Sequence, residues 1–238
     1  MDKKQKFVDI INSSNNIVFF GGAGVSTESN IPDFRSVDGL YNQKYKYPPE
    51  TILSHTFFVH RTEDFFDFYR DKMLAPWAKP NVTHKTLAKL EQQGKLKAIV
   101  TQNIDGLHEM AGSKNVFNLH GTVYRNYCMK CGKFYPMEHV KDSVGIPRCS
   151  CGGVVKPDVV LYEEGLDDNV VEGAINAIAK ADVLIIGGTS LTVYPAAGFI
   201  NYFNGKHLIL INKQTTQFDN KADLVLHESL GEVFKLIK

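Results

Sequence analysis

The chain has 238 residues, 43% of them hydrophobic, with 27 Lys and Arg against 26 Asp and Glu and only four cysteines. That length supports a sizeable core in one large domain, or in a domain carrying an insertion. A net charge of +1 argues against charge-driven binding to nucleic acid or acidic membranes, and no run of about 18 apolar residues suits a membrane span. The basic N-terminal stretch lacks a signal-peptide core, so a soluble, cytoplasmic protein is expected.

Residues 2–12 place Phe7, Ile10 and Ile11 on one helical face, and Ser13 to Asn16 end that helix. Residues 17–20 (IVFF) have the length and β-propensity of a buried strand and run directly into Gly21, Gly22, Ala23 and Gly24. Glycines there let backbone N–H groups approach a phosphate. Gly22-x-Gly24-x-x-Thr27 is a dinucleotide fingerprint without its third glycine, and an ordinary glycine turn is the competing reading. No second strand follows to bring an acidic residue to a ribose, which argues against a dehydrogenase. Phe34 and Arg35 offer an apolar lid beside a cation; a solvated arginine next to a core phenylalanine is the bland alternative.

Residues 37–61 show no period and read as a long loop or irregular subdomain. Residues 62–73 (TEDFFDFYRDKM) stack aromatic side chains at helical spacing, a core stripe. Thr83 is the expected cap of a helix over 84–93, closed by Gly94. Residues 97–102 form a second buried strand, and Asn103 to His108 follow at its carboxyl end, where open α/β sheets bind ligands. A short strand over 116–119 ends in His120-Gly121. Strands over 159–162, 183–186, 208–211 and 224–226 alternate with helices over 167–180 and 195–203 and a terminal helix. Such alternation predicts an α/β fold with a mostly parallel, Rossmann-like sheet.

Residues 122–156 break this rhythm and hold Cys128-x-x-Cys131 and Cys149-x-Cys151. Two close thiolate pairs brought together by a hairpin suit tetrahedral zinc. Two disulfides or two redox pairs compete with that reading, but a cytoplasmic chain disfavours disulfides and Cys-x-Cys is a strained local bridge. Four thiolates close the coordination sphere, so the metal would be structural.

GAGVSTESNIPDFR (22–35), TQNIDGLH (101–108), LHG (119–121), the four-cysteine insertion, KPDVVLYEE (156–164), GTSLTVYPAA (188–197) and IN (211–212) occur in one chain and in this order. Together they resemble the sirtuins, the NAD-dependent protein-lysine deacylases, over essentially the whole length. The resemblance implies a Rossmann-like NAD-binding domain (1–40, 81–121 and 157–238). It also implies a small lobe made of a helical and loop module (41–80) and a zinc module (122–156). Ala23, Thr27, Phe34, Arg35, Gln102, Ile104, Gly188, Thr189, Ser190 and Asn212 would line the NAD site. His120, Asn103 and Asp105 would carry the chemistry: His120 as general base on a ribose hydroxyl, Asp105 holding the nicotinamide carboxamide, Asn103 placing a ribose hydroxyl or a water. The acyl oxygen would attack the ribose carbon as nicotinamide leaves, while Phe34 shields the sugar from water.

An acyl-lysine peptide would add as a strand along Val159, Val160, Leu161 and Tyr162 on one side and residues 191–194, with Val193, on the other. Structural zinc would sit on Cys128, Cys131, Cys149 and Cys151. No nucleic-acid or membrane partner is implied. The seven other histidines read as ordinary core or surface residues.

Three departures stand out. Many sirtuins read Phe-Gly-Glu where this chain has Tyr162-Glu163-Glu164. Members that prefer succinyl or malonyl groups carry a tyrosine and an arginine three apart where this chain has Phe66 and Tyr69, with Arg70 one position off. Without that arginine a dicarboxylate acyl head would be buried unpaired, so acetyl or longer neutral acyl groups are expected. The second cysteine pair is also one residue tighter. A mono-ADP-ribosyltransferase and a non-catalytic NAD or ADP-ribose sensor are the rival functions.

Overall fold

A computed structural model describes residues 2–34, 39 and 45–237. Helix α1 (Lys3–Ser13) begins where the Asp2 carboxylate accepts the Lys4 amide, and it buries Phe7, Ile10 and Ile11. Strand β1 (Ile17–Gly21) is wholly buried and leads into two single 3-10 turns, Ala23–Val25 and Thr27–Ser29. The region expected to be irregular holds two short helices, α2 (Pro49–Ile52) and α3 (His55–His60). Neither is long enough to print a period in the sequence. Helix α4 (Thr62–Phe68) carries the aromatic stripe but widens into a π turn over Tyr69–Met73, so the stripe is not one regular helix.

Helix α5 (Val82–Gln92) is capped by Asn81 rather than Thr83. The Asn81 side-chain oxygen accepts the amides of Thr83 and His84, and the His84 ring accepts the Asn81 amide in return. An amide side chain reaches the second and third turn amides, which a hydroxyl already inside the helix cannot do. Then follow β2 (Leu96–Thr101), α6 (Leu107–Met110) and β3 (Val116–Asn118). Next come β4 (Gly121–Cys128), β5 (Phe134–Tyr135), α7 (Met137–Lys141) and β6 (Val155–Val159). The chain closes with α8 (Asp168–Lys180), β7 (Val183–Gly187), a 3-10 segment over Ala196–Tyr202, β8 (His207–Ile211), β9 (Leu224–Leu226) and α9 (Leu230–Phe234).

Six strands form a parallel sheet in the order β3-β2-β1-β7-β8-β9, and β5-β4-β6 form a small antiparallel one. The order reverses at β1, and Gly21 is level with both Thr101 and Gly187. The strands therefore end together and open a crevice at the topological switch point. Alternate residues of β1 face opposite layers. Phe19 packs among Phe7, Leu87 and Phe234, while Val18 and Phe20 pack with Ala174, Ile178 and Phe199. Truncating Phe19 to alanine would cost about 3–5 kcal/mol. A third core joins Phe58, Phe65 and Tyr69 of the helical segment to Met137, Val140 and Val155 of the cysteine-bearing segment.

The strand expected over 159–162 does not join the parallel sheet. β6 ends at Val159, and the following amides are taken elsewhere: Val160 by the His120 carbonyl, Leu161 by Glu164, Tyr162 by the Leu53 carbonyl. Apolar composition cannot reveal that the His120 carbonyl, one glutamate and the end of α2 claim those donors. The 195–203 segment is helical, but as a 3-10 rather than an α-helix.

Candidate active site

A cleft of about 990 Å³ opens between the carboxyl ends of the parallel strands and the helices of the third core. On its floor, the glycine turn after β1 meets the turn after β7 backbone to backbone. The Gly24 amide donates to the Gly188 carbonyl at 2.8 Å, and a Cβ on Gly24 would lie 2.7 Å from Gly188 Cα. Gly188 itself has φ +60°, a conformation that favours glycine. The close approach of these two turns therefore rests on glycine at both positions. Ala23, Thr27, Gly188, Thr189, Ser190 and Asn212 all face the cleft. Gln102 Nε2 donates to Thr189 Oγ1 at 3.1 Å, tying the β2 and β7 loops together. The cleft's volume, its glycine floor and its place at the strand ends suit a dinucleotide. Phe34 and Ile104 also line it; Arg35 lies outside the described residues.

Ser26, which no motif singles out in the sequence, is the hub of the next layer. Its hydroxyl donates to Asp105 Oδ2 at 2.6 Å and accepts from Asn103 Nδ2 at 3.1 Å. The Leu107 amide binds the other Asp105 oxygen at 3.0 Å. Burial raises the Asp105 pKa, and the Ser26 and Leu107 bonds oppose that rise. A hydroxyl two residues beyond the last turn glycine was the available signal.

His120 follows β3 and precedes Gly121, whose φ is +74°; a Cβ there would lie 2.0 Å from the Asp158 carbonyl oxygen. Only glycine fits, and the tight crossing clamps the histidine backbone. His120 Nδ1 lies 3.0 Å from the Gln102 carbonyl. A carbonyl can only accept, so Nδ1 carries the proton and Nε2 is left with its lone pair. Burial lowers the His120 pKa, and the bond to Gln102 opposes this.

The four cysteine sulfurs lie within 4.8 Å of one another, with Sγ–Sγ distances of 3.5 Å (Cys128–Cys151 and Cys131–Cys151) and 3.6 Å (Cys131–Cys149). Zinc–sulfur bonds of about 2.3 Å give a tetrahedron with edges of about 3.8 Å, so the cluster fits that ion. The Lys130 amide points at Cys128 Sγ at 3.4 Å, a contact suited to a metal-bound thiolate.

The model described as the Sir2 family matches residues 22–195. The chain belongs to the Sir2 family. It is 62% identical over 241 residues to the NAD-dependent protein deacetylase of Clostridium acetobutylicum, spanning 100% of this chain and 98% of the relative. The protein of the same description from Clostridium perfringens is 65% identical over 236 residues, spanning 98% and 97%. Among solved structures, Sir2 with a p53 peptide and NAD+ gives a TM-score of 0.86 at 38% identity, covering 99% of this chain and 96% of that one. A Sir2 histidine-to-alanine variant with deacetylated p53 peptide and 3'-O-acetyl ADP ribose gives 0.90 at 37%, covering 99% and 97%.

In this Sir2-family chain Val159, Val160, Leu161, Tyr162 and Val193 also line the cleft. The amides of Val160, Leu161 and Tyr162 are already bonded within the protein, and the carbonyls of Val159, Leu161 and Tyr162 accept from Lys156 Nζ, the Glu164 amide and the His55 amide. Glu163 has φ +75°, a conformation that favours glycine. Its carboxylate accepts the Thr56 amide at 2.9 Å, which holds the strained turn against α3. Of the two acyl-pocket positions expected, Tyr69 lines the cleft, whereas Phe66 is fully buried in the third core and does not reach it. Arg70 is turned away: its guanidinium binds the Gly145 carbonyl, Ser143 and Asp67. Lys72 lines the cleft and pairs with Asp71 at 3.0 Å.

Proposed function

We propose that this chain is an NAD-dependent protein-lysine deacetylase that releases nicotinamide, deacylated lysine and O-acetyl-ADP-ribose. The observation that carries the reading is one cleft lined by His120, Asn103, Asp105 and a glycine floor, with the His120 tautomer set by the Gln102 carbonyl. The curated relatives named as deacetylases support it.

In this reading, Ala23, Thr27, Phe34, Arg35, Gln102, Ile104, Gly188, Thr189, Ser190 and Asn212 bind the dinucleotide. Asp105 holds the carboxamide end, and Asn103, fixed through Ser26, orients a ribose hydroxyl. His120 takes a proton at Nε2 from that hydroxyl, which lets it act on the captured acyl group. Phe34 excludes water from the sugar face. Val159, Val160, Leu161, Tyr162 and Val193 bind the acyl-lysine peptide through main-chain contacts with little side-chain readout. Cys128, Cys131, Cys149 and Cys151 hold structural zinc, which ties β4 to the 149–155 hairpin. The chain divides into the NAD-binding part (1–40, 81–121, 157–238) and a small lobe (41–80, 122–156). Acyl-lysine proteins are the partners and the cytoplasm the working compartment. Among the described residues no helix is long and apolar enough to cross a membrane.

Mono-ADP-ribosyl transfer on the same cleft is disfavoured, because transfer to a protein nucleophile needs no base on a ribose hydroxyl. The test is mass spectrometry of NAD plus an acetyl-lysine peptide, with wild type beside His120→Ala. Acetyl loss matched one-to-one by nicotinamide supports deacetylation. ADP-ribose mass gained by peptide or enzyme would overturn it.

A further inference from the structure

Five buried side-chain polar atoms without a protein partner sit on two neighbouring elements: Thr83 Oγ1 and His84 Nε2 at the start of α5, and His108 Nδ1, His108 Nε2 and Ser113 Oγ on α6 and its exit. The two imidazole centroids are 4.7 Å apart at 59°, and the Ser113 amide donates to the His108 carbonyl at 3.1 Å. Buried polar atoms are normally satisfied, so a group of five calls for a cause.

The tautomers supply one. The Asn81 amide donates to His84 Nδ1 at 3.3 Å, which leaves His84 Nε2 bearing the proton. His108, neutral, has one donor and one acceptor nitrogen. A water bonded to two to four such groups satisfies them. A divalent cation suits the place poorly, since among the described residues no carboxylate joins the two imidazoles to offset its charge.

The pair also closes a circuit around the cleft floor. Asn81 Nδ2 donates to the Val25 carbonyl at 2.8 Å and to Ser29 Oγ at 3.0 Å. Val25 precedes Ser26, which donates to Asp105; Asp105 accepts the Leu107 amide; and Leu107 precedes His108. From above, Ser26 fixes the carboxylate. On the other side, the His84 and His108 rings pack together and tie α5 to the short helix that follows Asp105.

We infer that His84 and His108 enclose a buried water and act as positioning residues that hold Asp105 in register with the glycine turn. This rests on the reading that Asp105 receives the carboxamide end of NAD. Were the two rings mere core filler, apolar groups of similar size would replace them without touching nicotinamide handling, because no buried partner would be left unpaired.

Imidazole 15N NMR on the full chain tests the site without relying on turnover. His84 is expected neutral with its proton on Nε2, and both ring protons exchange slowly at pH 6. A protonated or freely exchanging His84 or His108 at that pH overturns the inference. The functional arm compares His108→Leu, His108→Asn and Asp105→Asn. His108→Leu is expected to raise the nicotinamide inhibition constant and the KM for NAD by about tenfold with the peptide KM unchanged, and His108→Asn, which keeps a donor and an acceptor, to restore most of it. Normal nicotinamide inhibition in His108→Leu, with a loss in Asp105→Asn, overturns the inference and leaves the Asp105 reading intact. Normal inhibition in Asp105→Asn overturns that reading and the inference with it. If His108→Leu does not fold, the NMR result and His108→Asn decide: a large nicotinamide defect in His108→Asn overturns the inference.

Discussion

His120 Nδ1 is bonded to the Gln102 carbonyl at 3.0 Å, so the imidazole of one loop is aimed by the backbone of another. The bond costs the ring one nitrogen and frees the other to act as a base. Burial lowers the His120 pKa from its usual value near 6.5. The base is therefore unprotonated at neutral pH, and the acid limb of kcat/KM should have its midpoint below 6.5, with a plateau across pH 7–8. His120→Ala should lower kcat about 10²–10⁴-fold and abolish that limb. A pH–rate profile of both proteins checks this.

Ser26→Ala removes the hydroxyl shared by Asp105 and Asn103. One bond that lowers the Asp105 pKa disappears, so the carboxyl group moves further up. Leaving a buried carboxylate oxygen without its donor costs about 1–3 kcal/mol. We expect the KM for NAD to rise about tenfold or more, measured by steady-state kinetics at saturating peptide.

Arg70 cannot serve an acidic acyl group while it binds Gly145, Ser143 and Asp67, and Lys72 is held by Asp71. On one peptide sequence, deacetylation should exceed desuccinylation by at least about tenfold, since an unpaired buried carboxylate is costly. Equal rates would refute this.

Stability should fall in mild acid. Burial holds the His84 pKa down to about 4, and His108 well below its ordinary value. An unfolded histidine titrates near 6.5, so between about pH 6.5 and 4 the unfolded chain binds more protons. The sign is therefore stability present above 6.5 and lost as pH falls through that window. His84 alone accounts for on the order of 3 kcal/mol. Urea midpoints from pH 7 to 4.5 measure it, and His84→Asn should flatten the slope.

Zinc removal should loosen the third core before the parallel sheet. Cys128 and Cys149 are buried members of that core, packed with Met137, Val140 and Val155. A chelator should lower the melting temperature and release one zinc per chain, and Cys131→Ser should lower zinc content even though Cys131 is exposed. Calorimetry beside metal analysis tests both statements.

The sequence by itself determined the parallel strands, because 17–20, 183–186 and 208–211 are apolar runs with no other stable use than burial between two layers. It also gave up the cysteine cluster, whose spacing is a chemical constraint, and the order of motifs around His120. Tertiary structure decided what depends on meeting across the chain. Ser26 becomes a hub only when residue 105 is folded beside it. Gly188 meets the Gly24 turn from another strand, a contact no local pattern records. Glu163 tolerates a glycine conformation because Thr56 supplies its partner, and residues 160–162 leave the parallel sheet because His120, Glu164 and Leu53 claim their amides. Local pattern records what a residue buries; it carries no record of which distant donor or acceptor comes to meet it.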